Sequence, residues 1–227
     1  MDTAKDLKGS VLARMDGKSP FGVWTPVDFI DLGSRPAVDQ VLHRLTANGA
    51  IRRVTRGLYD KPAKNKLTGK DTTPDPRAVI DALVRRDSIR VLLDGMTAAN
   101  DLGLSDAVPA RIVVHTDSRL RTLTLGPLTI SFMKTAPSKL QWAGRPGMRV
   151  VQALNWLKDK LPTERDIIAR KLRTVLRDSE HGEAIKADLR DGYSMMPDWM
   201  RTFLRPLVDD VSSSSPVTRR GRTRMLT

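Results

Sequence analysis

Apolar residues recur at three-to-four spacing in several stretches of the chain, and each stretch predicts a helix. Leu7, Val11, Leu12 and Met15 share one face and predict a short helix over 3–15, ended by Gly17 and Pro20. The run 21–24 is short and apolar and suits a brief strand or an extended segment. Thr25-Pro26 is a helix start, with Thr25 as cap and Pro26 at the first helical position. That helix is short, 26–32, and Gly33 stops it. Ser34 caps the next helix, with Pro36 near its first turn and Asn48-Gly49 at its close. Val38, Val41, Leu42 and Leu45 form its buried stripe. Only Gly33 and the cap separate the two helices, which is a tight turn of helix-turn-helix type. Ile51, Val54, Leu58 and Tyr59 are strand formers around Thr55-Arg56-Gly57, so 51–59 reads as a β-hairpin.

Residues 61–76 lack apolar periodicity and carry Pro, Gly, Lys and Thr, as a linker does. Beyond them the pattern predicts a helix over 77–86, a strand or buried turn at 89–93 and a helix over 95–102. A β-branched strand follows at 111–116, then a hairpin of 122–125 and 128–133 about Gly126-Pro127. From Gly147 the period is helical, with helices at about 147–158, 163–178, 181–190 and 197–209. The expected fold is therefore α+β. An N-terminal winged helix-turn-helix (1–62) is joined by a linker (63–76) to a larger mixed α/β domain with a helical C-terminal part (77–210). The segment 211–227 holds four arginines without an acid and almost no core formers, and reads as a disordered basic tail.

Charge sharpens this picture. The 227 residues carry a formal net charge of +13 at pH 7, which predicts attraction to polyanions. There is no cysteine, which excludes disulfides, thiolate nucleophiles and Cys-containing zinc sites together. The charged N-terminal stretch has no apolar core of a signal peptide, and no apolar run approaches the length of a membrane span. A cytoplasmic location without a membrane partner is the expectation.

The helix over 34–48 is the candidate reading helix. Opposite its apolar stripe lie Pro36, Gln40, His43 and Ala47, flanked by Arg35, Ala37 and Arg44. Gln makes bidentate contacts to adenine and Arg to guanine, each worth about 1–3 kcal/mol of discrimination. Ser34 and the open first-turn N–H groups suit a phosphate. The hairpin adds Arg52, Arg53 and Arg56; the first two point to opposite faces, so only one of them lies flat on DNA. Arg56, at the tip beside Gly57, is the best placed to enter a minor groove or grip a phosphate. The DNA-binding set is thus Ser34, Arg35, Gln40, Arg44, Arg52, Arg53 and Arg56. The competing reading is a protein- or RNA-binding module without promoter binding, with the arginines solvated or paired to Asp28, Asp31 or Asp39.

The run 25–62 resembles the N-terminal domain of AbiEi-type antitoxins of the AbiE toxin–antitoxin family, in its cap, reading helix, Asn-Gly break and Arg-Gly-x-Tyr hairpin. The stretch 95–116 is similar to the Ala-Ala, Leu-Gly-Leu and Pro segment that follows in that family, and 123–135 to its continuing hairpin. The resemblance implies an N-terminal winged helix that binds inverted repeats in its own promoter and represses it. It further implies a C-terminal domain that neutralises a nucleotidyltransferase-type toxin of type IV toxin–antitoxin systems, which serve in abortive infection and phage defence.

Catalytic chemistry finds little support. His43, His115 and His181 lack the spacing of metal ligands, and there is no phosphate-binding glycine loop. No enzyme, cofactor or metal is expected. Acids such as Asp94 and Asp101 read as helix caps. Arg170, Lys171, Arg173 and Arg177 form a basic strip that is either a solvated face or a contact for an acidic partner or more DNA. Trp142, Trp156 and Trp199 read first as core and second as interface anchors.

Overall fold

The computed structural model describes residues 3–17, 22–107 and 110–209. The expectations for Pro20, Phe21 and the basic segment 211–227 fall outside the described residues. The fold is α+β, with two sheets and helices packed about them.

The N-terminal third follows the apolar pattern closely. Helix α1 (Thr3–Asp16) turns Leu7, Val11 and Met15 into a core shared with α2 (Arg35–Ala47), which contributes Val38, Val41, Leu42 and Leu45. Between them lie strand β1 (Val23–Trp24) and a tight helical turn at Pro26–Phe29. The helix expected over 26–32 is only this 3-10 turn. Asp28 reaches back to the Thr25 N–H at 2.7 Å and to its hydroxyl at 3.1 Å, which closes a capping box over four residues. Phe29 is fully buried and anchors the turn. At the far end of α2, the Gly49 N–H bonds the Thr46 carbonyl and the Ala50 N–H bonds the Leu45 carbonyl. This is a Schellman close, and it sends the chain into the hairpin. Strands β2 (Arg52–Thr55) and β3 (Leu58–Asp60) join β1 in an antiparallel sheet of order β1-β3-β2, with an irregularity between Arg53 and Thr55.

Helix α3 (Pro76–Asp87) opens the rest of the fold, its start capped by the Asp75 carboxylate on the Arg77 N–H at 3.2 Å. Strands β4 (Val91–Leu93), β5 (Arg111–Thr116), β6 (Leu123–Leu125) and β7 (Leu128–Lys134) form a mixed sheet of order β4-β5-β7-β6. The β6–β7 hairpin is as expected, but β5 pairs with β7 in parallel and not with β6. Helix α4 (Gly95–Asp101) lies against α5 (Met148–Leu157) so closely that a Cβ on Gly95 would stand 2.5 Å from the Trp156 Cβ and 2.6 Å from the Gln152 carbonyl. Helices α6 (Leu161–Leu176), α7 (Gly182–Asp191) and α8 (Asp198–Val208) complete the helical part around Leu154, Leu172, Phe203 and Leu204.

A central core changes the meaning of the 63–76 segment. Val23 and Leu58 of the first sheet are buried in one cluster with Val79, Ile80 and Leu83 of α3 and with Leu93, Ile112, Val114 and Ile130 of the second sheet. The segment has only an isolated bridge, Lys64 to Asp71, as regular structure, so it is loop-like as expected. The residues before it keep a cluster of their own, from Leu7 to Ile51, while this central core spans both sides of the segment, with α3 between the two sheets. Polar contacts reinforce that junction. Arg85 donates to the Val23 carbonyl at 2.9 Å and to Asp28 at 3.0 Å, and Arg86 donates to the Arg56 carbonyl at the hairpin turn.

Candidate nucleic-acid interface

Helix α2 buries four residues and leaves Ser34, Arg35, Pro36, Gln40, His43, Arg44 and Ala47 exposed. At 100° per residue, Pro36, Gln40, His43 and Ala47 fall opposite the stripe, with Arg35 and Arg44 on its two flanks. Ser34 occupies the N-cap position, but its hydroxyl makes no capping bond. The Arg35 and Ala37 N–H groups, on either side of Pro36, which has none, therefore stay available to an anion at the positive end of the helix dipole. Arg35 bonds Asp39 at 3.0 Å, one turn along, and both side chains are about half exposed. Such a pair is worth roughly 0.3–0.5 kcal/mol, so it does not compete seriously with a phosphate.

The hairpin divides its arginines. Arg53 and Arg56 are exposed. Gly57 takes φ +71°, which a residue with a Cβ rarely adopts, and the turn so formed puts Arg56 at the tip. Arg52 faces the other way. Its Nε bonds Asp60 at 2.9 Å, a second nitrogen bonds the other oxygen of Asp60, and the Thr72 carbonyl accepts a third bond at 2.9 Å. Asp60 is 2% exposed and its hydrogen bonds raise the Arg52 guanidinium above its ordinary value. Arg52 thus leaves the candidate set: it is the strut that closes the β2–β3 pair over the 63–76 segment. Asp31, Asp28 and Asp39, the alternative partners for the hairpin arginines, are taken elsewhere, by Arg14, Arg85 and Arg35 respectively.

Arg35 at the start of α2 and Arg56 at the hairpin tip line one groove of about 480 Å³. Arg86, Arg119 and Arg121, absent from the sequence-derived set, line it too. Arg86 is engaged with Asp87 through two bonds of 2.7 Å. Arg119 and Arg121 are exposed and flank the half-buried Leu120 on the irregular segment between β5 and β6. The available signal for them was the alternation Arg-Leu-Arg, which presents both cations on the face opposite the leucine. It lies between two predicted strands, outside any regular period. Gln40, Arg44 and Arg53 do not line this groove, although Gln40 and Arg44 share the exposed surface of α2 with Arg35.

The remaining polar candidates have local partners. The Asp94 carboxylate caps α4 through the Thr97 N–H at 3.1 Å and hydroxyl at 2.6 Å, and also takes the Val113 N–H. His115 Nδ1 lies 3.0 Å from the Thr135 hydroxyl, and His181 is exposed beside Asp178. Among the described residues, no group of three or more His, Cys, Asp or Glu is placed to hold a metal ion, and no helix is long and apolar enough to cross a membrane. Trp142 is buried with Arg145 stacked on it, whereas Trp156 is 38% exposed.

By class, this is an α+β protein in which two sheets share a central helix and one groove gathers arginines from both halves. The chain belongs to a family of unknown function, DUF6088, whose model matches residues 15–184. No curated protein matches it. Among solved structures, the crystal structure of the RV2827C protein from Mycobacterium tuberculosis is similar over 90% of this chain and 76% of that one, with 17% identity and a TM-score of 0.40.

Proposed function

We propose that the protein is a DNA-binding antitoxin of a type IV toxin–antitoxin system, a winged-helix repressor of its own promoter that also neutralises a nucleotidyltransferase-type toxin. The DNA half of this reading is carried by one observation: the first turn of α2 and the tip of the β2–β3 hairpin open onto the same basic groove. A recognition helix and a basic hairpin that meet the same duplex need this placement. Arg35 and Arg44 then flank the base-reading face, Gln40 is its central polar residue, and Arg53 and Arg56 hold phosphates. The antitoxin half rests on the resemblance of 25–62, 95–116 and 123–135 to the AbiEi type.

Titration of the full chain against its own upstream duplex tests the DNA half. With about six phosphates neutralised, log affinity falls against log salt at a slope of roughly −5. The protein prefers its promoter to random duplex of equal length and to structured RNA. A flat salt response, or equal affinity for structured RNA, overturns this half. Co-expression with the adjacent reading frame tests the other: relief of that frame's toxicity supports it, and no relief from a toxic neighbour overturns it.

A further inference from the structure

The β5–β6 segment adds two arginines to the groove that the helix and the hairpin open onto. Arg119 and Arg121 line the same groove as Arg35 and Arg56, yet they come from the second sheet. Three features hold them there. Leu120, between them, packs on the central core, so the two flanking side chains project away from it. Asp117, at the base of the segment, accepts the Arg90 N–H at 3.2 Å and its Nε at 3.0 Å. The Ser118 N–H bonds the Thr116 hydroxyl at 3.3 Å. Among the described residues, no carboxylate forms an ion pair with Arg119 or Arg121; the groove's aspartate, Asp87, is taken by Arg86. Two exposed cations held on a fastened segment, with no internal counter-charge, are arranged for an external anion.

We propose that Arg119 and Arg121 form a third DNA-contact arm, which grips the phosphodiester backbone beside the stretch met by α2 and the hairpin. The proposal rests on the DNA-binding reading above. Continuity favours a duplex backbone over a small free anion, because Arg35 and Arg56 extend the same positive surface toward the reading face. The arm carries no base readout. It therefore adds affinity and salt dependence equally on all sequences.

The test uses the full chain and three double variants on promoter and random duplexes across a salt series. Arg119→Ala with Arg121→Ala reduces the steepness of the salt slope by about 2 and weakens both duplexes by the same factor. Arg119→Lys with Arg121→Lys keeps most of the slope. Arg170→Ala with Arg173→Ala removes equal charge from the α6 surface and leaves the slope unchanged. If the wild-type slope is steep and the Arg119/Arg121 alanine variant keeps it, the arm is overturned and the DNA-binding reading stands. If the α6 control loses as much slope, the effect is general charge and the arm is again overturned. If the wild-type protein shows no salt-dependent binding, the DNA-binding reading falls and the arm with it.

Discussion

Helices α2 and α6 both carry basic faces, and α6 is the more heavily charged, with Arg165, Arg170, Lys171 and Arg173 on the helix and Arg177 at its C-cap. Yet it is α2 whose cations converge with those of other elements. Of the α6 cations, Arg165 lies over a ring of the same helical part, 5.2 Å from the Phe203 ring centre, as do Lys158 and Lys160 on the approach to α6, 5.8 Å from Trp199 and 5.7 Å from Trp156. On α2 the first-turn arginine faces a groove completed by a hairpin and by a loop of the second sheet. The number of positive charges thus says less about an interface than their convergence from separate elements. A run along one helix presents its charge outward from a single convex face, whereas three elements about a groove aim theirs inward at one strip of space.

The largest effect that probes this contrast is on the frame. Leu58 is fully buried in the core that joins the first sheet to α3 and the second sheet. Leu58→Ala should cost about 2–5 kcal/mol in denaturant unfolding. Because that core is shared, hydrogen-exchange protection should fall in α3 and β5 together while α6 keeps most of its own. Loss confined to the first sheet would show that the groove is not one structural unit.

The next effect separates two adjacent arginines. Arg52→Ala strands the Asp60 carboxylate inside the protein and should cost about 2–3 kcal/mol of stability. Arg53→Ala, on an exposed side chain, should leave stability unchanged and weaken DNA on all sequences alike. The same thermal and binding profile for both variants would erase the division between strut and contact. Smaller again is Gln40→Ala, which should lose about 1–3 kcal/mol on the preferred operator and little on random duplex. An equal loss on both would remove Gln40 from base reading.

Much of this was legible in the sequence because the signals were local. Thr25-Pro26, Asn48-Gly49 and Arg56-Gly57 are turn chemistry acting over two residues, and the α2 stripe is a period that any buried helix must show. What stayed hidden depended on partners distant in the chain. Nothing near Arg52 announces that Asp60 is buried beneath it, since an aspartate at a strand end is usually solvated. The parallel pairing of β5 with β7 places the β5–β6 segment as a crossing connection, and so brings Arg119 and Arg121 to the same groove as Arg35 and Arg56, more than sixty positions earlier. The central core was hidden for the same reason: Val23, Leu58 and Val79 each look like members of their own element.

The smallest predicted effect tests whether the third element of the groove is held as firmly as the other two. Hydrogen bonding from Arg90 holds the Asp117 carboxyl below the usual carboxylate range. A carboxyl with a depressed folded-state value contributes stability that is fully present above its ordinary value and is lost as pH falls through the depressed one. Asp117→Asn should therefore melt slightly below the wild type at neutral pH, and the gap should close on acidification through the aspartate range. The pair is exposed to solvent, so the gap is small and salt shrinks it further. Amide exchange at 118–121 should be faster in the variant at neutral pH, while that at 53–57 stays the same. A fastened arm and a fastened hairpin would then differ in kind. The hairpin depends on a buried carboxylate and a shared core, and the arm on a leucine and one surface ion pair. If acidification leaves the gap unchanged, the Arg90–Asp117 pair does not secure the segment, and Leu120 alone sets where its two arginines point.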